Sequence, residues 1–183
     1  MTDPTAPGEK PFLHVVCAAG VAADVGGLMT AARQRGWEVG VVATPQGLAF
    51  LDVTAVQERT GHPIRSAWRT PGEARPLPPA DAIAVVPATF HTINKWAAGI
   101  SDSLALGIPC EAYGMGVPTA VLPCPNAAQA AHPAYARSLG VLREMNVMIG
   151  TYEPHRPKAG GGADRFRWAE ALDLLEPRLG RRS

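Results

Sequence analysis

The run Ala82-Ile83-Ala84-Val85-Val86, with the turn that follows it, constrains the fold of this chain more than any other segment. Unbroken apolar residues bounded by turn signals read as a strand buried on both faces, the habit of strands in a parallel sheet. The run leads through Pro87-Ala88-Thr89-Phe90-His91-Thr92-Ile93-Asn94-Lys95 into Trp96 to Leu106, which reads as a helix. A short hydroxyl-rich turn therefore sits at the carboxyl end of a buried strand. Open α/β sheets bind their ligands in that place. Strand, polar turn and helix in that order make a site for a phosphorylated or planar cofactor. The turn has no Gly-x-Gly fingerprint and no Walker lysine, which disfavours a dinucleotide or P-loop reading.

The same unit recurs along the chain. Phe12 to Ala18 reads as the first strand, Ala19-Gly20-Val21-Ala22 as a tight turn, and Ala22 to Arg35 as a helix ended by Gly36. Trp37 to Ala43 is a second strand, and Thr44-Pro45-Gln46-Gly47 turns into a short helix holding Phe50 and Leu51. Pro63 to Pro79 is a proline-rich irregular loop. Thr119 to Leu122 is a fourth strand, followed by Pro123-Cys124-Pro125-Asn126. A helix from about Ala134 to Glu144, a fifth strand from Asn146 to Gly150 and an amphipathic helix from Arg165 to Leu179 complete the pattern. This alternation predicts a single doubly wound, Rossmann-like α/β fold, a parallel sheet with helices on both faces and right-handed crossovers. A chain of 183 residues fits one domain over residues 11–183, behind a disordered lead-in at 1–10.

Composition removes several classes. A net charge of +1 gives no general attraction to nucleic acid or an anionic membrane. Arg178, Arg181 and Arg182 read as a solubilising end. Cys17, Cys110 and Cys124 are odd in number and lack metal-like spacing, so neither a disulfide scaffold nor a metal site is expected. With no signal-peptide core and no apolar stretch of membrane-spanning length, a cytoplasmic protein is the expectation.

In such a sheet the turns after strands one to four emerge on one edge. After the first, Ala18, Ala19 and Gly20 would let a ligand approach the backbone closely. After the second, Thr44 reads either as an ordinary helix cap or as a ligand contact, with Gly47 opening the backbone amides. After the third, Thr89 and Thr92 offer hydroxyls and Phe90 an aromatic wall, or else caps and a core residue. After the fourth, Asn126 follows two prolines and suits local backbone bonding. No metal ligand is assigned.

These residues resemble the flavoprotein superfamily of homo-oligomeric flavin-containing cysteine decarboxylases, which includes phosphopantothenoylcysteine and lantibiotic peptidyl-cysteine decarboxylases. The motif Pro-Ala-Ser-Ala-Asn-Thr is met by Pro87-Ala88-Thr89-Phe90-His91-Thr92, and its continuation by Ile93-Asn94-Lys95, Ala98-Gly99-Ile100, Asp102 and Leu104. The spacing of Pro-x-Met-Asn-x-x-Met-Trp is met by Pro123, Asn126 and Pro133. The resemblance covers Phe12 to about Gly150. It implies FMN, held by Ala19, Gly20, Thr44, Phe50, Pro87, Ala88, Thr89 and Thr92. It also implies trimers or larger shells, and a small-molecule or peptide substrate oxidised beside its sulfur before carbon dioxide leaves. His91 and Asn126 would carry the substrate contacts.

The departures bear on chemistry. The family's catalytic histidine lies fourteen residues before the motif proline, and counting back from Pro87 gives Glu73. His91 replaces the motif asparagine, and Pro125, Gln129 and Ala130 replace Met, Met and Trp. Gly160-Gly161-Gly162 suits either a mobile flap or a plain linker. Two further readings therefore stand beside the decarboxylase. One is a flavin-dependent oxidoreductase of the same fold; the other is a binding or regulatory subunit. His14 reads as a packed or edge residue, His62 and His155 as surface, and His132 as able to reach the site at an oligomer contact.

Overall fold

The computed structural model describes residues 10–18, 20–158 and 166–179. Ala19, the Gly160–Gly162 stretch, Arg165 at the start of the expected last helix, Arg181, Arg182 and residues 1–9 of the expected lead-in lie outside these residues. Five strands form one all-parallel sheet: β1 (Phe12–Cys17), β2 (Glu38–Ala43), β3 (Ala82–Ala88), β4 (Thr119–Pro123) and β5 (Met148–Ile149). Their order is β2-β1-β3-β4-β5. The helices are α1 (Gly26–Gln34), α2 (Pro45–Leu48), α3 (Val53–Thr60), α4 (Phe90–Ala97), α5 (Leu104–Met115), α6 (Ala127–Ala130), α7 (Pro133–Glu144) and α8 (Glu170–Leu175). This is the doubly wound α/β architecture expected from the alternating pattern.

Each central strand buries both faces, which is why its sequence is apolar without alternation. Leu13, Val15, Cys17, Val39, Val41, Ala84, Val86 and Leu122 face one core with Leu28 and Ala32 of α1 and Leu172 and Leu175 of α8. Val16, Val42, Val85 and Val121 face the other core with Ile93 and Trp96 of α4 and Leu142 of α7. Strand β3 pairs with β1 on one side and β4 on the other, and its register to β4 shifts between Val85 and Ala88. That shift falls where the first motif begins.

Several elements differ from the sequence expectation. The helix after the first motif is two helices, because Gly99 takes a left-handed φ of 71° and ends the first. Lys95 and Asp102, on either side of the break, form an ion pair that closes the loop. The first helix is split into a 3₁₀ turn (Gly20–Asp24) and α1, consistent with the weak helix propensity of Gly26 and Gly27. The last helix is shorter than expected and ends in a 3₁₀ turn (Glu176–Arg178) that contains Pro177. Strand β5 keeps only two residues. The proline-rich loop is irregular, yet Arg65 bridges to Val42 and so extends the β2 edge.

Strand β1 also carries His14, whose Nε2 lies 2.9 Å from the Pro78 carbonyl oxygen and whose ring meets Phe12 edge-on. Burial pushes its pKa below 6.5, while the bond to Pro78 works the other way. The folded state therefore favours the neutral imidazole. The unfolded chain binds the extra proton more readily, so stability contributed by neutral His14 is complete above pH 6.5 and is lost as pH falls towards the lowered folded pKa. Urea unfolding across this range should show stability falling with pH, and His14→Gln should flatten that slope. At α8, Leu172 is fully buried, and Leu172→Ala should cost about 2–5 kcal/mol in the same experiment. A loss below about 1 kcal/mol would mean that α8 does not hold the sheet face.

Candidate functional site

The turns after β1, β2, β3 and β4 do lie on one edge, and backbone hydrogen bonds stitch them into a row. The Thr44 N–H donates to Cys17 O at 3.0 Å, tying the second turn to the first. Ala18 N–H donates to Pro87 O at 3.1 Å, and Cys124 N–H to Ala88 O at 2.8 Å. The row ends where Ala127 N–H donates to His155 O at 2.8 Å, which bridges Asn126 to His155. Every turn that the sequence singled out is thus fixed to its neighbour through the main chain.

The side chains on this edge are mostly helix caps. Thr44 Oγ1 accepts the Gly47 N–H at 2.8 Å, so that amide is committed to the cap rather than left open. Gly47 is needed for another reason. A Cβ there would stand 2.6 Å from Cys17 O, and the first and second turns could not approach. Thr89 caps α4 by accepting the Thr92 N–H at 3.1 Å, and its Oγ1 lies 2.9 Å from Thr92 Oγ1. Two hydroxyls share one bond, so one hydroxyl hydrogen of the pair is left over for another acceptor. Thr92 is buried and Thr89 half-buried, which gives the outward role to Thr89. Helix geometry also leaves the N–H groups of Phe90 and His91, in the first turn of α4, without an intrahelical acceptor.

Pro87 and Ala88 are buried and Ala18 is half-buried, so the floor between β1 and β3 is small and apolar. Phe50 stands exposed after α2. His91 is exposed on α4, near enough to Asp102 for its charge to help hold that carboxylate below its usual range, behind the larger effect of Lys95. Asn126 Oδ1 accepts the Gln129 N–H at 2.9 Å while Gln129 Oε1 accepts the Asn126 N–H at 3.1 Å. Gln129, which departs from the second motif, thereby completes a capping box. Glu73 is an exposed surface carboxylate. It accepts the Thr70 N–H at 3.0 Å, and hydrogen bonding from the Thr70 side chain, with the backbone second, holds its pKa low.

Sequence reasoning missed part of this edge. The His132 ring meets Phe90 edge-on at 5.7 Å within the same chain, and its Nδ1 caps α7. His155, read as surface, is half-buried beside Asn126, with Nδ1 2.9 Å from the Tyr152 hydroxyl. The Cys124 thiol donates to that hydroxyl oxygen at 3.7 Å, and burial pushes its pKa up. Cys17 is pushed up to about 12 by burial, so it stays a thiol and packs as a small hydrophobe. All three cysteines are free. Among the described residues no three His, Cys, Asp or Glu side chains gather as metal ligands would. No helix among the described residues is long and apolar enough to cross a membrane.

A family model described as Flavoprotein matches residues 7–164, and the chain belongs to that family. The fold is shared with a mutant PPC decarboxylase complexed with pantothenoylaminoethenethiol, at 20% identity and a TM-score of 0.70, covering 92% of this chain and 100% of that one. It is shared as well with the FMN binding protein AtHal3, at 20% identity and a TM-score of 0.68, over 92% and 98% of the two chains. A third likeness is to TvaF, an FMN-dependent cysteine decarboxylase from thioviridamide biosynthesis, at 24% identity, a TM-score of 0.65 and coverage of 92% and 99%. No curated protein matches the chain by sequence.

The residues present fit a flavin. The floor at the β1/β3 switch point is small and apolar, and the half-buried Thr89 hydroxyl and the first N–H groups of α4 are donors for polar ring atoms or an anionic group. The fit depends on the caps and on the close approach at Gly47. Thr89→Ala should cost about 1 kcal/mol of stability as a lost cap. Gly47→Ala should cost about 1–3 kcal/mol by overpacking against Cys17 O. Denaturant titration of each variant checks both, and an unchanged midpoint for Gly47→Ala would refute the close approach.

Proposed function

We propose that this flavoprotein binds FMN and oxidatively decarboxylates a cysteine-derived or related thiol carboxylate. The observation that carries the reading is the row of main-chain bonds that sets the Thr44, Thr89 and Asn126 turns side by side at the β1/β3 switch point. In sheets of this strand order that point takes a mononucleotide. The chain has no Gly-x-Gly-x-x-Gly turn for the pyrophosphate of a dinucleotide, which favours FMN over FAD. The names of the FMN-binding neighbours support the same choice.

FMN, when bound, supplies the two-electron oxidation of the carbon beside sulfur. The chain's own residues bind and orient. In this reading Gly20, Pro87 and Ala88 form the backbone floor, and Ala19 belongs to it by the resemblance. Thr89 donates to the cofactor, Thr92 fixes the Thr89 rotamer, and Thr44 and Phe50 flank the second turn. His91 and Asn126 take the substrate. The exposed Ile100, Tyr113, Met115 and Val141 support a homo-oligomer.

Glu73 favours a second reading, a flavin-dependent oxidoreductase or flavin-binding regulatory protein of the same fold. A carboxylate held ionised by Thr70 only accepts hydrogen bonds, so it cannot replace an imidazole that donates or exchanges a proton. The absorbance of protein purified without added cofactor, followed by mass identification of the released molecule, tests the cofactor. A colourless protein that takes up no FMN, or one that releases an adenine-containing flavin, sinks that part. Loss of carbon dioxide from cysteine-terminated peptides, followed by mass, separates the two readings. His91→Ala should then slow turnover by at least about 100-fold with flavin still bound.

A further inference from the structure

The segment after β5 brings an imidazole to the second motif that the proposed function has not used. Thr151 anchors this segment, its N–H and hydroxyl donating to Glu170 Oε1 at 2.8 and 2.9 Å. Tyr152 packs its ring on Phe166 with centroids 5.8 Å apart. His155 is then fastened twice. Its carbonyl accepts the Ala127 N–H, and its Nδ1 lies 2.9 Å from the Tyr152 hydroxyl. The imidazole leaves the main chain directly opposite Asn126.

The direction of these bonds follows from their chemistry. Cys124 stays a thiol, because burial disfavours its thiolate, and it donates to the Tyr152 oxygen. With the phenol donating to His155 Nδ1 at 2.9 Å, the ring hydrogen of the imidazole stands on Nε2. Asn126 Oδ1 is occupied by the Gln129 N–H, which leaves the two hydrogens of Nδ2 to spend. Two residues paired across the main chain thus each carry an N–H donor that these bonds do not use, a set complementary to a carboxylate.

We infer that His155, held by Tyr152 beside Asn126, is a further substrate contact that receives the carboxylate of the thiol acid. The inference rests on the proposed function for the substrate class. Tyr152 is a positioning residue, acting only through the imidazole. In this assignment the imidazole missing before the first motif enters the site from the far end of the sequence.

A short peptide ending in serine, as free acid and as carboxyl-terminal amide, tests the assignment with the flavin-loaded protein. Serine matches cysteine in shape and lacks the thiol that is oxidised. Calorimetric titration should show the acid bound at least about tenfold more tightly than the amide, the size expected of hydrogen bonds to a charged group. His155→Leu should erase that preference with the flavin spectrum unchanged. His155→Gln, which keeps an N–H donor, should retain part of it and guards against a folding defect. Tyr152→Phe should leave the protein yellow and move the ¹⁵N signals of His155 towards a mixture of tautomers, which loss of packing alone would not do. Equal binding of acid and amide by the unaltered protein, or a preference undiminished in His155→Leu, overturns the inference. Cysteine-peptide decarboxylation at an undiminished rate in His155→Leu overturns it as well, and leaves the proposed function standing. A preference lost in that variant of a protein that decarboxylates nothing keeps the inference and sinks the decarboxylase.

Discussion

Where a parallel sheet ends, each strand leaves carbonyl and N–H groups that the ladder no longer pairs, and burial makes them costly unless something else pairs them. In this protein the turns themselves do it. Thr44 to Cys17, Ala18 to Pro87, Cys124 to Ala88 and Ala127 to His155 continue the sheet's cross-chain bonding past the last strand residues. These bonds hold the turns in mutual register, and a turn fixed in this way has less conformational freedom to lose. The same bonding dictates residue choice. Gly47 is fixed by the 2.6 Å approach of its would-be Cβ to Cys17 O, a constraint that belongs to the join between two turns rather than to either helix.

Capping and ligand binding draw on the same residues, so a cap is weak evidence against a site. Threonine at the start of α4 satisfies a helix N–H through its oxygen and still has a hydrogen to give. The Thr89–Thr92 pair divides this work: the buried Thr92 fixes the rotamer, and the half-buried Thr89 keeps access to the edge. Asn126 behaves similarly, its oxygen committed to Gln129 and its amide nitrogen uncommitted to the cap. The departure Gln129 from the second motif has a local use, since it closes the capping box from the other side.

The sheet was legible because burial on both faces writes long apolar runs, and no other element of this size needs them. Strands β1, β3 and β4 follow such runs, and their carboxyl ends put the motif turns on one edge. The helices were less legible. Gly99 could be seen as a family residue, but the break between α4 and α5 was not legible there, although its left-handed φ and the Ile100 N–H bond to Lys95 O form a local helix-ending turn. The segment after β5 was not legible at all. His155 lies between prolines in an exposed-looking stretch, and its place beside Asn126 is set by main-chain pairing and by the Tyr152 hydroxyl, neither of which has a sequence period. The one available signal was chemical: an aromatic, a histidine and an acceptor-rich strand end gathered after the last strand of a fold that uses that edge.

Glu73 and His155 together change how the altered motif should be weighed. Glu73 lies on a loop tied to the β2 edge through Arg65, and its carboxylate is spent on its own turn at Thr70. Nothing in that arrangement calls for a buried or proton-carrying group, so the substitution is structurally quiet where it occurs. The β4 and β5 side is built in the opposite way. A thiol, a phenol and an imidazole form one bonded chain from Cys124 through Tyr152 to His155, and the last member is pinned to the turn that holds Asn126. Ordering three side chains costs conformational freedom that a purely structural turn would not require. The polar investment of this chain thus lies on the β4 and β5 side of the edge, and the proposed carboxylate contact stands there rather than at the position of Glu73.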